Sequence, residues 1–280
     1  MSILGALLAL VAGYAVLHAV GQWRWRRMTD ARLQRLEAAQ RPSGPACFDP
    51  AELADLPPPV ARYFRLVLPP GTPIIRRVDV VHRGEFNLSP KGEFWRPFDS
   101  TQRVITARPG FLWNGRIRVM PGLQVAVHDA YVDGEGLLEP SLLGIVNLMR
   151  LHDRDELARG ELMRFLAEAA WYPTALLPSQ GVRWTALDDH RAMATLTDGP
   201  LSVSLEVGFD ARGMIHTLRA EQRSRMVDGV AIPTAWEGRM SNYAVRDGLC
   251  VPLEGEVAWL LESGRQAYWR GHIQQIRYGH

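Results

Sequence analysis

Leu201-Ser202-Val203-Ser204-Leu205-Glu206-Val207-Gly208-Phe209 alternates apolar and non-apolar residues without a break. Alternation with a period of two is the pattern of a strand with one buried face. Strand-like segments flank it at 182–187, 191–197, 215–222, 235–243, 256–261 and 268–278. Turn residues stand between them: Asp188-Asp189, Asp198-Gly199, Asp210 to Gly213, Asp228-Gly229, Asp247-Gly248 and Ser263-Gly264. Successive strands joined by short turns form an antiparallel meander. With no helix between them, a parallel sheet and a dinucleotide-binding fold are excluded.

The same pattern continues upstream. Segments 74–88, 100–107, 111–119 and 123–131 read as strands, separated by Ser89-Pro90-Lys91-Gly92, Arg108-Pro109-Gly110 and Met120-Pro121-Gly122. Asp133-Gly134 is a further hairpin signal. Two apolar stretches follow. Residues 140–151 (PSLLGIVNLMRL) read as a helix too short to cross a bilayer. In 153–170, Ala158, Leu162, Phe165, Leu166 and Ala169 share one helical face, opposite the i,i+4 pairs Asp155–Arg159 and Arg164–Glu168. A meander of this length must curve, and its concave side must be filled. The expected fold is therefore α+β: a curved antiparallel sheet, an unclosed half-barrel, packed on a central helical plug. The barrel domain spans 73–280, with the helical insert at 140–172.

Residues 2–22 carry no formal charge. Twenty-one helical residues extend roughly 32 Å, enough for a hydrocarbon core of about 30 Å. Trp23 and Trp25 follow as an aromatic belt would, then Arg24, Arg26, Arg27, Arg32 and Arg35. Residues 1–28 read as a single transmembrane anchor. The positive-inside rule turns the following domain to the cytoplasmic side of a bacterial inner membrane, with the periplasmic side as the alternative. A cleaved signal peptide is the competing reading: Ala19-Val20-Gly21 resembles a cleavage site, but no basic residue precedes the apolar run. Residues 29–72 read as a helical, proline-rich connector. It holds a short helix at 29–40 capped by Thr29 or Asp30, the breaker Arg41-Pro42-Ser43-Gly44-Pro45, and further turns at 49–56 and 60–67.

Composition narrows the function. The chain has 280 residues, 47% hydrophobic and 22% charged, which suits a folded domain. A net charge of +2 gives no basic mass for nucleic acid. Lys91 is the sole lysine among 32 basic residues, a bias that a GC-rich bacterial genome produces. Cys47 and Cys250 cannot build a disulfide framework or a cysteine-rich zinc site. The histidines show no H-x-x-H or HExxH spacing, and no G-x-S-x-G or P-loop motif occurs, so no metal and no cofactor are expected. His128-Asp129 points its two side chains to opposite faces of a strand and cannot form one site alone.

Two constellations remain. Glu161, Arg164, Glu168 and Trp171 lie on one helical stripe, and Glu161 or Glu168 could serve as acid and base if buried. The aromatic residues Trp95, Phe98, Trp113, Tyr131, Phe165, Trp171, Tyr172 and Trp236 would line an acyl pocket. Glu237, beside Trp236, would read a head group at its rim.

The run ELARGELMRFLAEAAWYPTALLPSQGVRW (156–184), with GEFWRPF (92–98) and GEVAWLL (255–261), resembles a bacterial family of membrane-anchored proteins of unknown function. The likeness covers nearly all of 56–278 and brings no established active site. The order of strands, helical plug and long meander is also similar to the periplasmic lipoprotein-carrier (Lol-type) and sigma-regulator fold. That architectural likeness implies a hydrophobic ligand and a part in envelope lipid or lipoprotein handling. Binding of an apolar, lipid-like ligand is the preferred expectation. An enzyme acting on a lipid-like substrate, or a non-catalytic scaffold pairing through a sheet edge in an envelope complex, are the alternatives.

Overall fold

The computed structural model describes residues 2–41, 44–89, 92–227 and 230–280. Pro42-Ser43 and the turn positions Pro90-Lys91 and Asp228-Gly229 lie outside the described residues. Three α-helices are described: α1 (Ile3–Ala38), α2 (Pro58–Val67) and α3 (Glu156–Glu168). The first strands are β1 (Arg77–Asn87), β2 (Trp95–Ile105), β3 (Gly110–Met120), β4 (Leu123–Val132), β5 (Glu135–Leu142), β6 (Val146–Asn147) and β7 (Leu151–Asp153). After α3 come β8 (Arg183–Ala186), β9 (Arg191–Asp198), β10 (Leu201–Phe209), β11 (Ile215–Val227), β12 (Val230–Arg246), β13 (Leu249–Leu261) and β14 (Gly264–Gly279).

These strands form one 14-stranded antiparallel sheet, ordered 6-5-4-3-2-1-14-13-12-11-10-9-8, with β7 paired to β5. The expected unclosed half-barrel is the observed architecture. β1 pairs with β14, joining the early strands to the late meander. β10 occupies the span read for it; Leu201, Val203, Leu205 and Val207 are buried while Ser202 and Ser204 are exposed. Asp133-Gly134 and Asp247-Gly248 each have positive φ at both residues, as two-residue hairpin turns of type I′ require.

α3 lies in the concave face and packs against both β5 and β10, so it bridges the strands near the two free edges. A polar contact spans the same seam: the Tyr131 hydroxyl donates to Asp198 Oδ2 over 2.8 Å, and Arg108 Nε to Asp198 Oδ1 over 3.2 Å. α2 packs on β9 and β13 through Val60, Tyr63, Phe64 and Val67, an i, i+3, i+4, i+7 stripe.

Two expectations are corrected. Residues 140–151 are not a helix. Pro140 lies inside β5, and Leu143-Gly144, both at positive φ, turn the chain into β6 and β7. The plug is therefore α3 and the 3₁₀ turns after it, not the whole of 140–172. The second correction concerns 29–40, which does not start a new helix. α1 runs unbroken through Met28-Thr29 to Ala38, because neither Gly nor Pro stands between Trp23 and Ala38. Thr29 is no N-cap; its hydroxyl donates to the Trp25 carbonyl over 2.9 Å.

The C-terminal half of α1 belongs to the barrel. Strand alternation sends Phe111, Trp113 and Tyr131 inward and leaves Leu112 and Ala130 outward. Leu36 covers those two together with Ile105 and Val132. Trp25 stacks on His128 at 3.9 Å and donates to Asn114 Oδ1 over 2.9 Å. Arg32 pairs with Glu139 and also contacts His128 Nδ1. Burial and Arg32 push His128 down to about 2, so its imidazole is neutral. With Nδ1 facing a guanidinium, the proton sits on Nε2 and is donated to the Thr29 hydroxyl, 2.7 Å away. At Gly21 a Cβ would collide with the Leu143 carbonyl, so only glycine allows α1 to touch this turn.

Candidate functional site

The concave face encloses a cavity of about 120 Å³ beside α3. Trp113 of β3, Trp171 after α3, Trp236 of β12 and Trp269 of β14 wall it, with Phe86, Tyr268 and Met240. Tyr268 and Trp269 are sequence neighbours and would face opposite sides of a regular strand. A register shift between the pairs Val257–Trp269 and Ala258–Ala267 leaves Tyr268 as an extra residue, and both rings line the cavity. Trp236 Nε1 donates to the Tyr268 hydroxyl over 2.9 Å. The buried Nε1 atoms of Trp113 and Trp171 have no hydrogen-bond partner. His82, buried beside Trp171 with ring centroids 4.9 Å apart, has none at either nitrogen. Burial, with Arg164 and His272 adding to it, pushes His82 down to about 3, so it is neutral.

One wall is ionic. Arg164 of α3 donates from Nη1 to Asp129 Oδ2 over 2.6 Å and from Nε to Glu168 Oε1 over 2.6 Å. Glu168 Oε2 accepts from Gln102 Nε2 over 2.5 Å. The Arg164 guanidinium also sits over Phe111 at 4.8 Å and Trp113 at 5.7 Å. Burial works against its charge, but Glu168 and Asp129 hold it protonated far above neutrality.

Glu161, one turn earlier on α3, is different. Burial and the Asp129 carboxylate push it up to about 8. Its Oε2 and Asp129 Oδ1 are both buried with no donor. A proton on Glu161 supplies the donor that both oxygens lack. Arg223 reaches the interior because β11 shifts register between Ala220 and Arg223 against β12. Its Nη2 lies 3.9 Å from Glu161 Oε1, and its guanidinium sits over Trp236 at 5.1 Å. Arg223 is thus a largely buried cation at the cavity wall whose carboxylate contact among the described residues is Glu161, at 3.9 Å.

A family model described as a family of unknown function (DUF6920) matches residues 54–278. The chain belongs to this family. No curated protein matches its sequence. Among solved structures, a LolA superfamily protein from Nitrosomonas europaea is similar over 79% of this chain and 92% of that one, at 12% identity and a TM-score of 0.30. A β-barrel-like protein of another domain of unknown function from Brucella abortus is similar over 74% of this chain and 99% of that one, at 11% identity and a TM-score of 0.20. The family match contains every cavity residue named above and leaves α1 outside.

Of the residues that the sequence singles out, Trp113, Trp171, Trp236 and Glu168 wall the cavity. Phe98 lies beneath it, stacked on Trp269 at 5.7 Å. The others stand elsewhere. Trp95 lies under Arg270 at 4.3 Å, and Arg270 is bound to Glu85 in an exposed ion pair. Tyr131 is tied into the seam by Asp198. Phe165 and Tyr172 pack on each other at 5.5 Å, with the Tyr172 hydroxyl bonded to the Phe165 carbonyl. Glu237 is not a rim partner of Trp236: neighbours on a strand face opposite ways, and Glu237 binds Arg239 and Arg265 instead. The sequence reading leaves Gln102, Asp129, Arg164, Arg223 and Tyr268 out of its pocket. Arg223 and Tyr268 depend on bulges, which have no sequence signature here. Asp129 and Arg164 face one another only once α3 is seated in the sheet.

Proposed function

We propose that this chain is a membrane-anchored binding protein whose half-barrel holds a lipid-like molecule, its apolar part among the tryptophans and an acidic end on Arg223. The observation that carries the reading is the cavity itself: an aromatic chamber with the Arg223 guanidinium in its wall, held only by a long 3.9 Å contact to Glu161. A cavity of roughly 150 Å³ with apolar walls takes up benzene, so about 120 Å³ suits a ring or a short alkyl segment. Partly buried guanidinium groups bind carboxylates and phosphates in preference to other ligands. Glu168 is unsuited to be a free base, because Arg164 and Gln102 occupy both its oxygens. α1 supports the anchor: its first turns are apolar and exposed, and Arg24, Arg26 and Arg27 then favour a cytoplasmic barrel at a bacterial inner membrane.

The test uses the full chain in phosphatidylcholine vesicles with a diazirine-bearing fatty acid and the matching fatty alcohol. On illumination the acid is expected to cross-link peptides carrying Leu218, Trp236, Met240 or Trp269. Arg223→Gln should reduce capture of the acid and leave that of the alcohol unchanged. Cross-links confined to α1 would sink the reading.

A further inference from the structure

In an antiparallel meander alternate hairpins lie at the same end of the sheet. The C-terminal ends of β1, β3, β5, β9, β11 and β13 share one end, as the registers along the sheet require. α1 leaves the barrel by that end. Leu36 packs by Gly110 at the far end, Trp25 beside Asn114 midway, and Gly21 against Leu143 and Ile145. Tyr14 is bonded to the Gly122 carbonyl, about 10 Å further along the helix.

The side chains at this end are unusual. Met120, Val146, Leu148, Met226 and Val230 are all exposed, and so is Phe94 beside β2. Outside α1, the other exposed large apolar groups include Leu66, Leu187 and Val245, which belong to the opposite end. The tip 120–123 (MPGL) and the turn 143–149 (LGIVNLM) carry no charge, and Arg118 and Arg150 flank them. Arg24 donates to the Ile145 carbonyl over 3.1 Å, and Arg27 sits over Trp23 at 5.1 Å. These two uncharged tips, with arginine and tryptophan at their base, match the layering of a bilayer interface, while Glu93 and Glu262 mark connections at the same end that carry charge.

We infer that this apolar rim is a membrane-docking surface: the barrel stands end-on, its hairpin tips sunk in the leaflet through which α1 passes. The inference rests on the reading of α1 as an anchor. If the apolar stretch of α1 crosses the bilayer, the level of Tyr14 lies inside the hydrocarbon, and so does the β3–β4 tip bonded to it. Phe86, Trp236 and Tyr268, which wall the cavity, lie within a few residues of the rim.

Single cysteines report the depth. In the full chain with Cys47→Ser and Cys250→Ala, an NBD dye is placed at Met120→Cys, Val146→Cys, Val230→Cys, Val245→Cys or Leu10→Cys. Each protein is reconstituted in phosphatidylcholine–phosphatidylglycerol vesicles with or without doxyl-labelled phosphatidylcholine. The dye at Met120, Val146 and Val230 is expected to lose most of its emission to the doxyl lipid, and the dye at Val245 to keep it. Val230 decides, because among the described residues no contact ties its strand to α1. A dye at Val230 as unquenched as at Val245 overturns the docking surface. An unquenched Leu10 overturns the anchor and the surface together. Quenched rim positions without cavity cross-links would remove the binding reading and leave this one standing.

Discussion

At the scale of single residues, the interior is governed by charges that cannot reach water. Arg164 neutralises Asp129 and Glu168, and neither carboxylate has another cation within bonding distance among the described residues. Arg164→Met should destabilise the chain by about 3–5 kcal/mol, the usual cost of stranding buried charge. Urea unfolding of the full chain in dodecyl maltoside measures it. Glu161 gives a second prediction. Its folded value of about 8 stands above its ordinary 4.5, so between those pH values the folded state holds more proton than the unfolded one. Stability is therefore lost as pH rises through that window. His82 and His128, at about 3 and about 2, are depressed from 6.5, so their contribution grows with pH and is complete above 6.5. Of these three groups only Glu161 still titrates between 6.5 and about 8. Stability should fall across that interval, and Glu161→Gln should flatten the fall. A decline of equal slope in the variant would assign it to other groups.

At the scale of elements, periodicity was readable where one face meets water and misleading where both faces do something. β10 could be read residue by residue because serines alternate with buried aliphatics. Residues 140–151 could not, because their apolar side chains are not core: Val146, Leu148 and Met149 are exposed. A short apolar run has the same composition whether it fills a core or lies on a rim, and Gly144 is its one break signal. The candidate site was legible in part for a related reason. Aromatic residues at inward strand positions, such as Trp113 and Trp236, follow from alternation, whereas Arg223 and Tyr268 face inward through bulges. The contact between α1 and the 143–145 turn carries its own prediction. Gly21→Leu would drive a side chain into the Leu143 carbonyl, and the helix must move off the turn. Overpacking of this kind costs about 1–3 kcal/mol. Trypsin should then cut at Arg24 faster than in the unaltered chain, since the bond from Arg24 to Ile145 is broken; unchanged cleavage would mean that the turn yields instead.

At the scale of the whole molecule, an open sheet of this breadth is held together from inside. α3 contacts strands near both free edges, and the chamber beside it is not filled by side chains. A ligand seated there touches β3, β12, β13 and β14 at once and should stabilise the folded state by mass action, about 2.7 kcal/mol at a hundred times its dissociation constant. Gly255 offers a way to separate this from lipid acting on α1. A Cβ at Gly255 would meet Trp269 at 3.4 Å, Trp171 at 3.5 Å and Met240 at 3.7 Å, which are ordinary contacts. Gly255→Leu can therefore occupy the chamber. In dodecyl maltoside, a long-chain fatty acid should raise the melting temperature of the unaltered chain and leave that of Gly255→Leu unchanged. The two proteins share α1, so a shift of equal size in both would put the fatty acid on the helix and empty the chamber of its role.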